Sequence, residues 1–135
     1  MEIKRDFYLN KLIDRQRNGL VKIITGIRRC GKSYLLFNLF YRFLLGSGVG
    51  EDHIIRILLD DWANKEFRNS DNLYKYGKDC ISDKDWYYIL LDEVRFVSEF
   101  DDVLNGFLHI GNADTYVTGS NSEFLSKDII TEFIG

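Results

Sequence analysis

The sequence predicts an α/β fold: a parallel sheet of about four strands joined by crossover helices. Two observations predict it. Short β-rich apolar runs alternate with stretches of 3.6-residue periodicity, and no proline, internal repeat or low-complexity segment interrupts the alternation. With 135 residues, 45% apolar and 29% charged, the chain has material for one core, so residues 1–135 read as a single domain.

The elements follow in order. Asp6 to Asn18 carries Leu9, Leu12 and Ile13 on one helical face and stops at Asn18-Gly19; it leads into a first strand, Leu20 to Thr25. A helix beginning near Lys32 is apolar over most of its circumference (Leu35, Leu36, Leu39, Phe40, Phe43, Leu44), which predicts burial, and Gly46 ends it. Ile54 to Leu59 is the second strand. Ser70 is the predicted cap of an amphipathic helix presenting Leu73, Gly77, Cys80 and Ile81. Trp86 to Leu91 is the third strand. Ser98 and Asp101 have capping-box spacing before a helix with Phe100, Val103, Leu104, Phe107 and Leu108 at helical period. Thr115 to Thr118 is the fourth strand, and Ser120 to Gly135 reads as one or two helical turns without a fifth strand.

Composition removes several function classes. Lys and Arg total 18 against 21 Asp and Glu, a net charge of −3, which disfavours nucleic acid as the principal partner. Cys30 and Cys80, with only His53 and His109 beside them, give neither a disulfide framework nor a zinc spacing. No apolar run approaches the roughly 20 residues that span a bilayer, and the first ten residues are too polar for a secretory leader. The expectation is a cytoplasmic protein without membrane contact.

The chemistry concentrates in three places. Gly26-Ile27-Arg28-Arg29-Cys30-Gly31-Lys32-Ser33 satisfies G-x-x-x-x-G-K-[ST] at every fixed position, after a β-branched strand and at the start of a helix. The glycines let backbone amides curl around a phosphate, and the helix N-terminus adds positive potential. Lys32 can reach β- and γ-phosphates, the Ser33 hydroxyl can ligate magnesium, and the stretch through Tyr34 is the candidate nucleotide-contacting segment. Arg28 and Arg29 occupy variable positions that more often face solvent, and Cys30 reads mainly as a small spacer.

Second, the apolar strand Trp86 to Leu91 runs into Asp92-Glu93. Ligands of open parallel sheets gather at the carboxyl ends of strands, so Asp92 would face the same crevice as the glycine-rich loop and hold magnesium. Glu93 could orient or deprotonate an attacking water. Third, Tyr116 to Asn121 is an apolar strand ending in small polar residues; Thr118 or Asn121 could meet the γ-phosphate or the lytic water. Ser120 also has capping-box spacing to Glu123, an equally good structural reading. Asp60-Asp61, after the second strand, is either a polar site group or a turn and cap.

Taken together, GIRRCGKS, YYILLDEV and YVTGSNSEFLS resemble the ATPase core of prokaryotic AAA-type P-loop ATP-binding proteins, the group with an added catalytic glutamate, over about Ile3 to Phe133. The resemblance implies a three-layer P-loop NTPase fold in which the strand ending at Thr118 separates the P-loop strand from the Asp92 strand. It implies ATP and Mg2+ as ligands, Lys32 on phosphate, Ser33 and Asp92 on magnesium, Glu93 as base, Thr118, Ser120 or Asn121 as sensor, and Ile3 to Tyr8 bordering adenine. Two departures qualify this. Arg95 stands where the family commonly has glutamine, and the chain ends at Phe133-Ile134-Gly135 where the family carries an arginine finger. By this reading the finger, a fifth strand and the helical lid are missing.

Slow ATP hydrolysis is therefore expected, since a positioned arginine is worth about 10³ to 10⁵ in rate. Competing readings are a nucleotide-dependent module that binds a protein partner or its own copy without turnover, and a P-loop kinase. Without a fifth strand, Val21 to Thr25 would be an open edge, which predicts self-association.

Overall fold

A computed structural model describes residues 2–25, 31–124 and 131–134. Its elements are α1 (Glu2–Asp14), β1 (Val21–Ile24), a helical stretch α2 made of Lys32–Tyr34, a π-wound Leu35–Phe40 and Tyr41–Gly46, then β2 (Ile54–Leu58), α3 (Ser70–Cys80), β3 (Tyr87–Asp92), α4 (Phe100–Leu108), β4 (Ala113–Thr118), α5 (Asn121–Phe124) and β5 (Thr131–Ile134). Short 3-10 turns lie at Glu51–His53, Trp62–Arg68 and Val94–Phe96.

The five strands form one sheet in the order β2-β3-β4-β1-β5, and every pairing is parallel. Strand alternation sorts the core into two layers. Val21, Ile23, Ile55, Ile57, Ile89, Leu91 and Val117 pack with Leu73, Phe100, Val103, Leu104 and Phe107 beneath α3 and α4. Ile24, Ile54, Tyr88, Leu90, Tyr116 and Ile134 pack on the other face with Leu12 of α1 and Leu35, Leu36, Phe40 and Leu44 of α2. This is the helix–sheet–helix sandwich that alternating strands and helices predict. As expected, β4 lies between β1 and β3.

The strand count needs correction. Thr131–Ile134 is a fifth strand, in register with β1 from Val21↔Thr131 to Ile24↔Ile134, and the Thr25 amide extends the ladder to the Ile134 carbonyl at 2.9 Å. Four residues are too few to display an alternation of their own; their conformation is set by pairing with β1, more than a hundred positions away in sequence. The sheet edges are therefore β2 and β5, and the open β1 edge on which self-association was argued does not exist.

Two predicted caps also move. The Asn69 side chain, not Ser70, caps α3, accepting the Asn72 amide at 3.0 Å. Ser98 does not cap α4: its amide and hydroxyl both donate to the Arg68 carbonyl, at 2.9 and 3.3 Å, and Glu99 enters the helix in the left-handed region instead. Asp61 settles as a cap, accepting the Ala63 amide at 2.9 Å.

At the amino ends of the strands a buried ion pair joins β1 to β4. Lys22 Nζ lies 2.6 Å from Asp114 Oδ1, with side chains 0% and 3% exposed. Asp114 Oδ2 accepts from the Tyr116 hydroxyl and the Arg17 amide, while Lys22 Nζ also donates to Asn18 Oδ1. Charges this deep persist only when paired and hydrogen-bonded. No helix among the described residues is long and apolar enough to cross a membrane.

Candidate functional site

The site lies at the opposite end of the sheet, where β1, β3 and β4 terminate. Gly31 precedes α2 with φ of 73°, a left-handed conformation that a glycine adopts without strain, and Lys32 opens the helix. Gly26, Ile27, Arg28, Arg29 and Cys30 lie outside the described residues, as does the side chain of Asn121; α5 begins at Asn121.

Two strand ends and the first turn of α2 converge on one carboxylate. Asp92, the last residue of β3, is 4% exposed, and its Oδ1 accepts both the Ser33 hydroxyl and the Thr118 hydroxyl at 2.7 Å. Thr118, fully buried at the end of β4, accepts the Glu93 amide at 2.8 Å. One hydroxyl thus fixes both members of the Asp-Glu pair. Glu93 leaves the strand with φ 55° and ψ 56°, an unusual conformation for a residue with a Cβ and one that surrounding contacts must hold in place. Its carboxylate, 28% exposed, faces Arg95, whose Nε is 3.2 Å away.

Lys32 Nζ donates to the Gly119 carbonyl at 3.0 Å, just beyond β4. The Glu123 Oε1 atom accepts the Ser120 amide at 2.9 Å, the backward half of the capping box read from the sequence. Tyr34 is partly exposed on the first turn of α2. Of the predicted residues, Lys32, Ser33, Asp92, Glu93 and Thr118 come together. Sequence reasoning missed the Gly119 carbonyl, which has no side-chain signal, and the ion pairs of Arg95, which it noted only as a departure from a pattern.

The donor set suits a hard divalent cation. A serine hydroxyl has one proton and two lone pairs, so Ser33 can donate to Asp92 while presenting oxygen to a metal, and Asp92 supplies a carboxylate beside it. All are oxygen ligands, the set magnesium takes and zinc seldom does. A separate concavity of about 440 Å³, lined by Arg17, Val49, His53, Trp86 and Tyr88, lies toward the amino ends of the strands and shares none of these groups.

The chain is similar to several known proteins. The chain is 29% identical over 135 residues to an uncharacterized protein of Haemophilus influenzae, and 28% identical over 137 residues to one of Methanocaldococcus jannaschii; each alignment covers 98% of this chain. It spans 33% and 27% of those relatives' lengths. Among solved structures it resembles Drosophila ORC bound to AT-rich DNA and Cdc6, with a TM-score of 0.55 and 10% identity over 87% of this chain and 46% of the other, a likeness of fold. Residues 18–135 match the family described as AAA domain, a span holding the glycine-rich loop, all five strands and every group converging on Asp92. The chain belongs to the AAA domain family, with a P-loop ATPase-type core.

Proposed function

We propose that this domain binds ATP with Mg2+ at the carboxyl ends of β1, β3 and β4 and hydrolyses the γ-phosphate. The observation that carries the reading is the 2.7 Å hydrogen bond from Ser33 to Asp92, which joins the end of the glycine-rich loop to the acidic strand end across 59 positions of sequence. Gly26 to Tyr34 would wrap the phosphates with backbone amides, and Lys32 would exchange the Gly119 carbonyl for phosphate oxygens. Ser33 and Asp92 would hold the metal, Ser33 directly and Asp92 by orienting Ser33 and metal-bound water. Magnesium, when bound, neutralises charge on the β- and γ-oxygens.

Glu93 takes the proton of the attacking water; the water oxygen bonds to the γ-phosphorus as its bond to the ADP oxygen breaks. Thr118 would orient Asp92 and the Glu93 backbone through its hydroxyl, and Ser120 or Asn121 would then serve as sensor. The test is steady-state release of phosphate. Glu93→Gln should bind ATP as the parent does and lose at least about 10²-fold in turnover. Parental turnover in Glu93→Gln removes the base assignment. Binding of ATP without any phosphate release from the parent favours the non-hydrolysing module instead, and release only when an acceptor is supplied favours a kinase.

A further inference from the structure

Arg95 sits two residues after Glu93 and is committed to it. Arg95 Nε is 3.2 Å from Glu93 Oε1 and 3.7 Å from Glu123 Oε2, so one guanidinium links the end of β3 to α5. It packs over the Phe96 ring at 4.4 Å, which narrows the directions in which it can swing. Glu123 is itself anchored, its other oxygen taking the Ser120 amide. The Glu93 backbone is fixed as well, since its amide is held by Thr118, so the free variable is where its carboxylate points.

A base must have a carboxylate oxygen available to a water proton. Here Oε1 already accepts from a cation. We propose that Arg95 is a positioning residue that draws the Glu93 carboxylate toward α5, so that breaking the Glu93–Arg95 pair precedes proton abstraction. The inference rests on the reading of Glu93 as the base. Arg95 and Glu93 are 51% and 28% exposed, and pairs this open are weakly held and screened by salt, so the restraint is a modest brake rather than a lock. The competing role for a cation beside the γ-phosphate, stabilising transferred charge, has the opposite sign and a far larger size, about 10³-fold or more.

The test is phosphate release by the 135-residue chain at saturating Mg-ATP. Arg95→Gln should raise kcat about two- to fivefold with KM within twofold of the parent, and Arg95→Lys should restore most of the parental rate. Glu123→Gln, which removes the second anchor, should give a smaller gain in the same direction. Adding about 0.5 M NaCl should shrink the ratio between Arg95→Gln and parent, because screening weakens the pair only where it exists. A merely structural role for Arg95 would lower the melting temperature without this split between kcat and KM. A fall in kcat, an unchanged kcat, or absence of turnover in both forms overturns the proposal. If Glu93→Gln works at the parental rate the base assignment has failed instead, and the double variant Glu93→Gln/Arg95→Gln separates the cases: it should stay at the level of Glu93→Gln.

Discussion

Thr118 and Asp92 are joined hydroxyl to carboxylate at 2.7 Å across adjacent strands β4 and β3, and the same hydroxyl receives the Glu93 amide. A buried threonine therefore carries two bonds, one of them to a charged group. Thr118→Val keeps the shape and removes both. Hydrogen bonds to charged groups contribute about 1.5–3 kcal/mol, so urea unfolding should show a loss of about 2–3 kcal/mol, with Thr118→Ser recovering most of it. A Thr118→Val chain as stable as its parent would show that neither bond matters to the fold.

The Lys22–Asp114 pair should be the costliest polar contact to break. Lys22→Ala leaves the buried Asp114 carboxylate without its lysine, held by the Tyr116 hydroxyl and the Arg17 amide. Removing one member of a buried pair costs about 3–5 kcal/mol, which chemical denaturation would register as a large drop in midpoint. Because the pair lies at the far end of the strands, nucleotide affinity of the folded fraction should not change.

Gly119 is a position of close approach. A Cβ there would stand 2.7 Å from Phe124 Cε2 and 3.0 Å from Glu123 Oε1. Phe124 is buried against Phe100 and Phe133, so its ring has little room to move aside. Gly119→Ala should destabilise by about 1–3 kcal/mol, measured by thermal or urea unfolding.

The path from sequence to structure was clearest where the signal is local. Lys32, Ser33 and Asp92 could be placed because a glycine-rich turn and an apolar strand with an acidic exit each announce themselves within about ten residues. The position of β4 between β1 and β3 came from the family resemblance. What escaped was decided by distant partners. Thr131–Ile134 is a strand because β1 offers an open ladder, and Ser98 gives up its cap because the Arg68 carbonyl lies closer to its needs. The π-wound turn at Leu35–Phe40 hides inside an ordinary helical period. Arg95 looked like a departure from a pattern, and only its distance to Glu93 gives it a role.

His53 predicts a pH dependence of stability. Its Nδ1 and Nε2 face carboxylate oxygens of Asp52 and Asp83 at 2.9 and 2.8 Å, to which the protonated ring donates, and these contacts, Asp52 first, raise its pKa against the opposing effect of desolvation. Stability from a raised histidine pKa is full below the unfolded value of about 6.5 and disappears as pH climbs through the folded one. Asp83 runs the other way: the Asp85 amide, then His53, lower its pKa, so its contribution is present above about 3.9 and lost as pH falls through the folded value. The melting temperature should fall slightly between about pH 6 and pH 8.5, by no more than about 3 °C, and His53→Gln should flatten that slope.

The most direct measurement is calorimetric titration of the chain with ATP in the presence and absence of magnesium. Ser33 and Asp92, hydrogen-bonded beside Lys32, predict saturable binding that Lys32→Ala abolishes and that chelating magnesium weakens at least about tenfold, a sensitivity that Asp92→Asn should lose. Equal binding by the parent and Lys32→Ala, or no heat at millimolar ATP with magnesium, would contradict the assignment of this strand-end cluster as a triphosphate and metal site.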